Sequence, residues 1–296
     1  MSESAIGKQW KLSQAQIAAY RQDGLLESPY RIPTDMMGRM RNSLDNLLRD
    51  NAEIAPESLV CPHISYGSTH DEAAAAQWFS YASDPHILDL VEQLIGPDIV
   101  LWGSQVFCKP ALSGKAIPWH QDGQYWPIKP RATCSVWIAI DAAMPENGCM
   151  RYIPGSHASA AVYTHRVSGR TDVVLDQEVE PELFDASIAR DDILDAGQFS
   201  LHDVYLIHGS DANRSAKRRA AYVIRYMPAT SLFERFVGDE HTQAGVSFSM
   251  SKRPIWLLRG RDRAGNDFSV GHGDDYQLVP RISDETQDAS SFGDAD

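Results

Sequence analysis

Apolar positions repeat with two different periods along this chain, and the change falls close to residue 98. The first third is helical in pattern. The segment SQAQIAAYRQDG opens on Ser13, carries Gln16 three residues later and stops at Gly24, which reads as a capped helix with a glycine end. From about Thr34, Met37, Met40, Leu44, Leu47 and Leu48 recur mostly at steps of three and four, so one stripe is apolar and the opposite face charged. Asp84 to Leu94 repeats this pattern and ends before Gly96-Pro97. From Ile99 onward the texture is short apolar runs separated by Pro, Gly and Asn: IVLWGSQVFCKP, ATCSVWIAID, GCMRYIPGSH, QFSLHDVYLIHGS and AAYVIRYMP. These are strand signals. Without long helices between them they favour a closed antiparallel sandwich or barrel of jelly-roll type over a doubly wound sheet.

The fold class expected is therefore mainly β with flanking helices. Within 296 residues it divides into a helical part over about 1–97, a β core over about 98–230 and an extension over about 231–280, all in one domain. Residues 281–296, acidic and without apolar period, read as a flexible tail. Residues 162–190 are polar and aperiodic, a length that suits either a functional loop or lid or an irregular surface insert.

Composition narrows the function classes. A formal charge of -13 argues against a nucleic-acid groove, which needs clustered Lys and Arg. Cys61, Cys108, Cys134 and Cys149 are widely spaced and read as reduced core thiols rather than a zinc or redox motif. Neither a signal peptide nor an apolar run of about 18 residues is present, so the expectation is a cytoplasmic protein, monomer or homodimer, with a small-molecule substrate and no membrane or nucleic-acid partner.

The candidate chemistry lies in His120-Gln121-Asp122. On a strand, residues i and i+2 share a face, so His120 and Asp122 can hold one metal ion while Gln121 points away. A histidine downstream completes the set. His202 and His208 compete for that role; His208, before Gly209-Ser210 at a strand end, is preferred, and His202 reads as a supporting or packing residue. Two histidines and a carboxylate leave three positions open on a metal, the donor set of nonhaem Fe(II) oxygenases. Arg218 and Arg219 open the next apolar run, and one of them can grip a carboxylate through paired hydrogen bonds. Arg225 shares the face of Arg219, for an anionic substrate or a buried acid equally.

Three blocks in order, CKPALSGKAIPWHQDGQYWPIKP, SVWIAIDAAMPENGCMRYIPGSH and IHGSDANRSAKRRAAYVIRY, resemble the phytanoyl-CoA dioxygenase family of Fe(II)/2-oxoglutarate oxygenases. The resemblance spans roughly Asp84 to Pro228. It implies a double-stranded β-helix, Fe(II) held by His120, Asp122 and His208, and 2-oxoglutarate and O2 as co-substrates. It also selects Arg219, eleven residues after His208, as the 2-oxoglutarate anchor. Ser210 and Trp137 match further co-substrate contacts, with Gln105 and Gln121 at positions near them. Related halogenases carry a small residue at the metal carboxylate, whereas Asp122 is retained here, so hydroxylation is expected. The loops 64–70, 163–190 and 230–251 match no substrate signature. The rival readings are a cupin-like isomerase or oxygenase that does not use 2-oxoglutarate, and a non-enzymatic ligand-binding jelly roll.

Overall fold

A computed structural model describes residues 9–65, 67–235, 240–243 and 246–272; the acidic tail lies outside them. The strands that build the site are β1 (Leu25–Glu27), β2 (Leu59–Val60), β3 (Ile99–Lys109), β4 (Ile117–His120), β5 (Cys134–Ala139), β6 (Met150–Tyr152), β7 (Arg190–Asp192), β8 (Phe199–Asp203), β9 (His208–Ser210), β10 (Arg219–Pro228) and β11 (Trp256–Arg259). A seven-stranded sheet runs β1-β8-β5-β10-β3-β11 with β2 also on β3, and a four-stranded sheet runs β7-β6-β9-β4. All of these pairings are antiparallel. This is the jelly-roll arrangement expected, a mostly antiparallel β-fold with few helices.

Strand β10 shows how the two faces divide. All ten of its residues are buried, yet their destinations alternate with the pleat. Ala220, Tyr222, Ile224 and Tyr226 join the core beneath the helices. Arg219, Val223 and Arg225 face the other sheet across a cavity. The helical layer comprises α1 (Gln14–Asp23), α2 (Thr34–Asp50), α3 (Glu72–Ala82) and α4 (Pro85–Ile95). Its apolar stripes press Leu44, Trp78 and Leu90 onto the large sheet. The buried tyrosines keep their hydroxyls satisfied: Tyr222 donates to Trp78 O at 3.2 Å and Tyr226 to Ala82 O at 2.7 Å.

The expected capping box of α1 is present, with Ser13 and Gln16 bonded reciprocally and Gly24 at φ 81. Three expectations change. Helix α3 was not anticipated, although Asp71 caps it by accepting from Ala74 N at 2.7 Å. The run QFSLHDVYLIHGS is not one strand: Phe199–Asp203 belongs to the large sheet and His208–Ser210 to the small one, with a turn between. The segment after residue 230 is more than an extension, because β11 pairs with β3 and completes the large sheet. The four cysteines are free and buried, as expected.

Candidate active site

Strand β4 ends at His120, and the chain then closes into a short 3-10 turn over Asp122–Gln124. Asp122 is therefore not on a continued strand. The turn brings it back toward His120, with Gly123 N donating to Val204 O and Tyr125 N to Asp122 O, both at 3.1 Å. His208, first residue of β9, sits opposite His120 in the pairing with β4. Gly209 permits that pairing: a Cβ there would stand 2.9 Å from Ile117 O. Donor atoms of His120, Asp122 and His208, all buried, lie within 4.8 Å of one another.

Protonation suits a metal. The Nδ1 of His120 meets Pro118 O at 2.9 Å and the Nδ1 of His208 meets Leu206 O at 3.0 Å. A carbonyl only accepts, so each Nδ1 carries the proton and each Nε2 presents a lone pair. Burial, helped by the adjacent His120, pushes His208 down to about 3, and burial lowers His120 as well, so both rings are neutral. Burial alone would raise Asp122, but the close His202, with the nearby His208 and Arg225, holds it well below the usual carboxylate range. The Nε2 of His202 approaches Asp122 Oδ2 at 3.6 Å. His202 comes from the opposite sheet to His208, and their rings nevertheless lie 5.0 Å apart. An ionised carboxylate and two neutral imidazoles form a donor set that fits Fe(II).

The three residues open onto a small cavity between the sheets. At one end is Arg219, 2% exposed, its Nε and Nη2 donating to Gly148 O at 3.1 and 2.8 Å and its guanidinium 5.3 Å from the Trp137 ring. Trp137 and Ser210 line the same cavity. Arg218 points the other way and bonds Asp141 at 2.8 Å and Asp45 at 3.2 Å, so strand parity separates the neighbouring arginines.

Lys109 is a residue that pattern reading passed over. It pairs with Arg219 in register and is 1% exposed, with its Nζ donating to Ser210 Oγ at 2.7 Å and to the carbonyls of Ser210 and Asp211. Burial and the adjacent Arg219 push it down to about 6. The signal available was a lysine closing an otherwise apolar strand, before Pro110.

The two glutamines expected near the co-substrate are bonded within the protein. Gln121 is fully buried on the far side of β4: its amide donates to Ala161 O at 3.1 Å and Tyr205 O at 2.6 Å, and its oxygen accepts from Tyr163 N at 2.7 Å. It pins loops, because alternate residues at this edge point away from the cavity. Gln105, opposite Val223 in the β3–β10 pairing, is fully buried and accepts from Arg225 Nη2 at 3.0 Å. Within the 162–190 excursion, Leu175 lines the cavity, so that segment forms one wall.

Comparison with known proteins agrees with this geometry. The chain is 25% identical over 232 residues to L-proline trans-4-hydroxylase of Streptomyces griseoviridis, covering 72% of this chain and 85% of that enzyme. It is 24% identical over 278 residues to the peroxisomal phytanoyl-CoA dioxygenase of Homo sapiens, covering 82% and 80%. Among solved structures, the apo form of the non-heme monooxygenase ThoJ superposes with a TM-score of 0.64 at 24% identity, over 83% of this chain and 84% of that one. The non-enzymatic and 2-oxoglutarate-independent readings fall with these relationships. The family model for phytanoyl-CoA dioxygenase matches residues 20–221, and the chain belongs to this family of iron- and 2-oxoglutarate-dependent oxygenases.

Proposed function

We propose that the protein hydroxylates an unactivated C–H bond of a small metabolite or natural-product intermediate, with His120, Asp122 and His208 holding the iron and Arg219 anchoring 2-oxoglutarate. The observation that carries this reading is the meeting of those three donors at a buried cavity with an inward arginine. When bound, Fe(II) with 2-oxoglutarate and O2 supplies the oxidising power, and succinate and CO2 are released. The chain's own residues bind and orient. His120 and His208 offer Nε2 because Pro118 and Leu206 occupy their Nδ1 protons. Asp122 would hold the metal through a carboxylate where related halogenases carry a small residue, which favours hydroxylation. Arg219 presents its fork to the far carboxylate of the co-substrate, and Lys109, through Ser210, adds a second donor group at the same end. The sheets exclude bulk water from the space between them, which strengthens each charge contact.

The same reading takes residues 1–280 as one catalytic domain acting alone or as a homodimer in the cytoplasm on a small molecule. No described helix is long and apolar enough to cross a membrane. The charge of -13 speaks against a nucleic-acid partner. The test is an anaerobic titration with Fe(II) and 2-oxoglutarate followed by a succinate-release screen across amino acids, acyl thioesters, compatible solutes and phosphonates. His120→Ala is expected to abolish Fe(II) binding and succinate release together; release at the wild-type rate would sink the assignment.

A further inference from the structure

The cavity has a cation at each end. Arg219 and Arg225 project from the same face of β10, six residues apart, which is about 20 Å between their Cα atoms. A five-carbon diacid spans less than two extended residues, about 7 Å. The two guanidiniums also feel different charged groups: the carboxylates Glu57 and Asp141 act on Arg219, whereas Asp122 and Arg253 act on Arg225. A co-substrate whose far carboxylate is held by Arg219 does not need Arg225 for that contact.

Arg225 is built as a binding group rather than a structural one. It is 6% exposed and lines the cavity beside Asp122. Its Nη2 is oriented by Gln105 Oε1 at 3.0 Å, while its Nε is buried with no partner. Trp126 lies 5.2 Å from the guanidinium, and Phe107 and Trp102 lie at 5.9 and 6.0 Å, so aromatic rings fix it without neutralising it. Gly103 faces it across the β3 pairing, where a Cβ would approach Arg225 Cδ at 4.0 Å. Among the described residues no carboxylate forms an ion pair with Arg225. Asp122 is the nearest carboxylate but makes no direct ion pair with it, so this buried cation is only partly compensated, and a ligand anion would lower the remaining cost.

We propose that Arg225, oriented by Gln105 and held against Trp126, docks an oxyanion of the primary substrate, so that the enzyme acts on a small carboxylic or phosphonic acid. The proposal rests on the hydroxylase reading above and refines its substrate class. Docking at Arg225 places the acid group close to Asp122, and the C–H bond that reacts then lies within a few bonds of that group. Gln105 is a positioning residue in this scheme, acting through the guanidinium.

The probes are four- to eight-carbon carboxylates and phosphonates, each paired with its neutral amide or ester. Binding is followed by anaerobic calorimetry on the full chain, with and without Fe(II) and 2-oxoglutarate, and succinate release is read in air. An acid is expected to bind at least tenfold more tightly than its neutral counterpart and to stimulate release; the tighter arm, carboxylate or phosphonate, names the anion. Arg225→Gln should weaken acid binding tenfold or more while Fe(II) and 2-oxoglutarate binding hold within about twofold. Gln105→Leu should give a smaller loss of the same kind. Equal binding of acids and neutral partners, no binding by any acid, or an Arg225→Gln variant that loses 2-oxoglutarate as strongly as the acid would each overturn the proposal. Failure of the wild-type chain to bind Fe(II) or 2-oxoglutarate would instead overturn the hydroxylase reading, since acid binding is measured separately without them.

Discussion

Arg219 and Lys109 face each other across β10 and β3, two buried basic residues at one end of a cavity that must otherwise stay dry. If Arg219 anchors the co-substrate, Arg219→Ala removes charge-assisted hydrogen bonds. The 2-oxoglutarate requirement should then rise by about ten- to a hundredfold while the Fe(II) requirement is unchanged, as separate saturation curves would show. Lys109 makes a pH prediction. Its folded value lies near 6, below the 10.5 of an ordinary lysine, because it is buried beside Arg219; Asp211, Glu57 and Cys149 act in the opposite sense. Between those two values the unfolded chain binds the extra proton, so this group makes stability rise with pH through that window. Urea unfolding of the wild type at pH 6.5 and 8.5 should show that rise, and Lys109→Met should flatten it.

At the scale of elements, the helical layer and the loops do different work. Leu44 is fully buried where α2 meets the large sheet. Leu44→Ala should cost about 2–5 kcal/mol in urea unfolding and leave Fe(II) affinity of the folded fraction unchanged, because the cavity lies on the other face of that sheet. Gln121 ties β4 to Ala161, Tyr163 and Tyr205 through three hydrogen bonds. Gln121→Ala should leave those loop groups unpaired at a cost of about 1–3 kcal/mol. The readout is faster amide exchange over residues 161–179, the segment that carries Leu175 into the cavity wall. Helices α1, α2 and α4 were legible because capping chemistry and three-four spacing are local. Helix α3 was not, since EAAAAQWFSYA buries small and aromatic residues without a clean polar stripe, and only packing of Trp78 and Tyr81 on the sheet decides its place.

For the whole molecule, the candidate site joins two sheets: His120 and His208 come from the smaller one, His202, Arg219 and Arg225 from the larger. A ligand that binds there holds both together and stabilises the folded state by mass action. At a hundredfold excess over its dissociation constant that is about 2.7 kcal/mol, or several degrees of thermal shift. Fe(II) with 2-oxoglutarate under anaerobic conditions should raise the midpoint by that amount in the wild type and by much less in His120→Ala. The amino-acid sequence alone determined the helical and β thirds of the chain and the His120-Gln121-Asp122 triplet with His208, because periodicity, capping and motif spacing are written in neighbouring residues; the preference for Arg219 over Arg218 came from the family resemblance. Tertiary structure decided the rest. Only the folded chain shows the turn that swings Asp122 back toward His120, the crossing between sheets that splits His202 from His208, the inward Lys109 and the buried Arg225 without a direct ion pair. Each of these depends on which surfaces face each other across the two sheets, a relation that no local pattern carries.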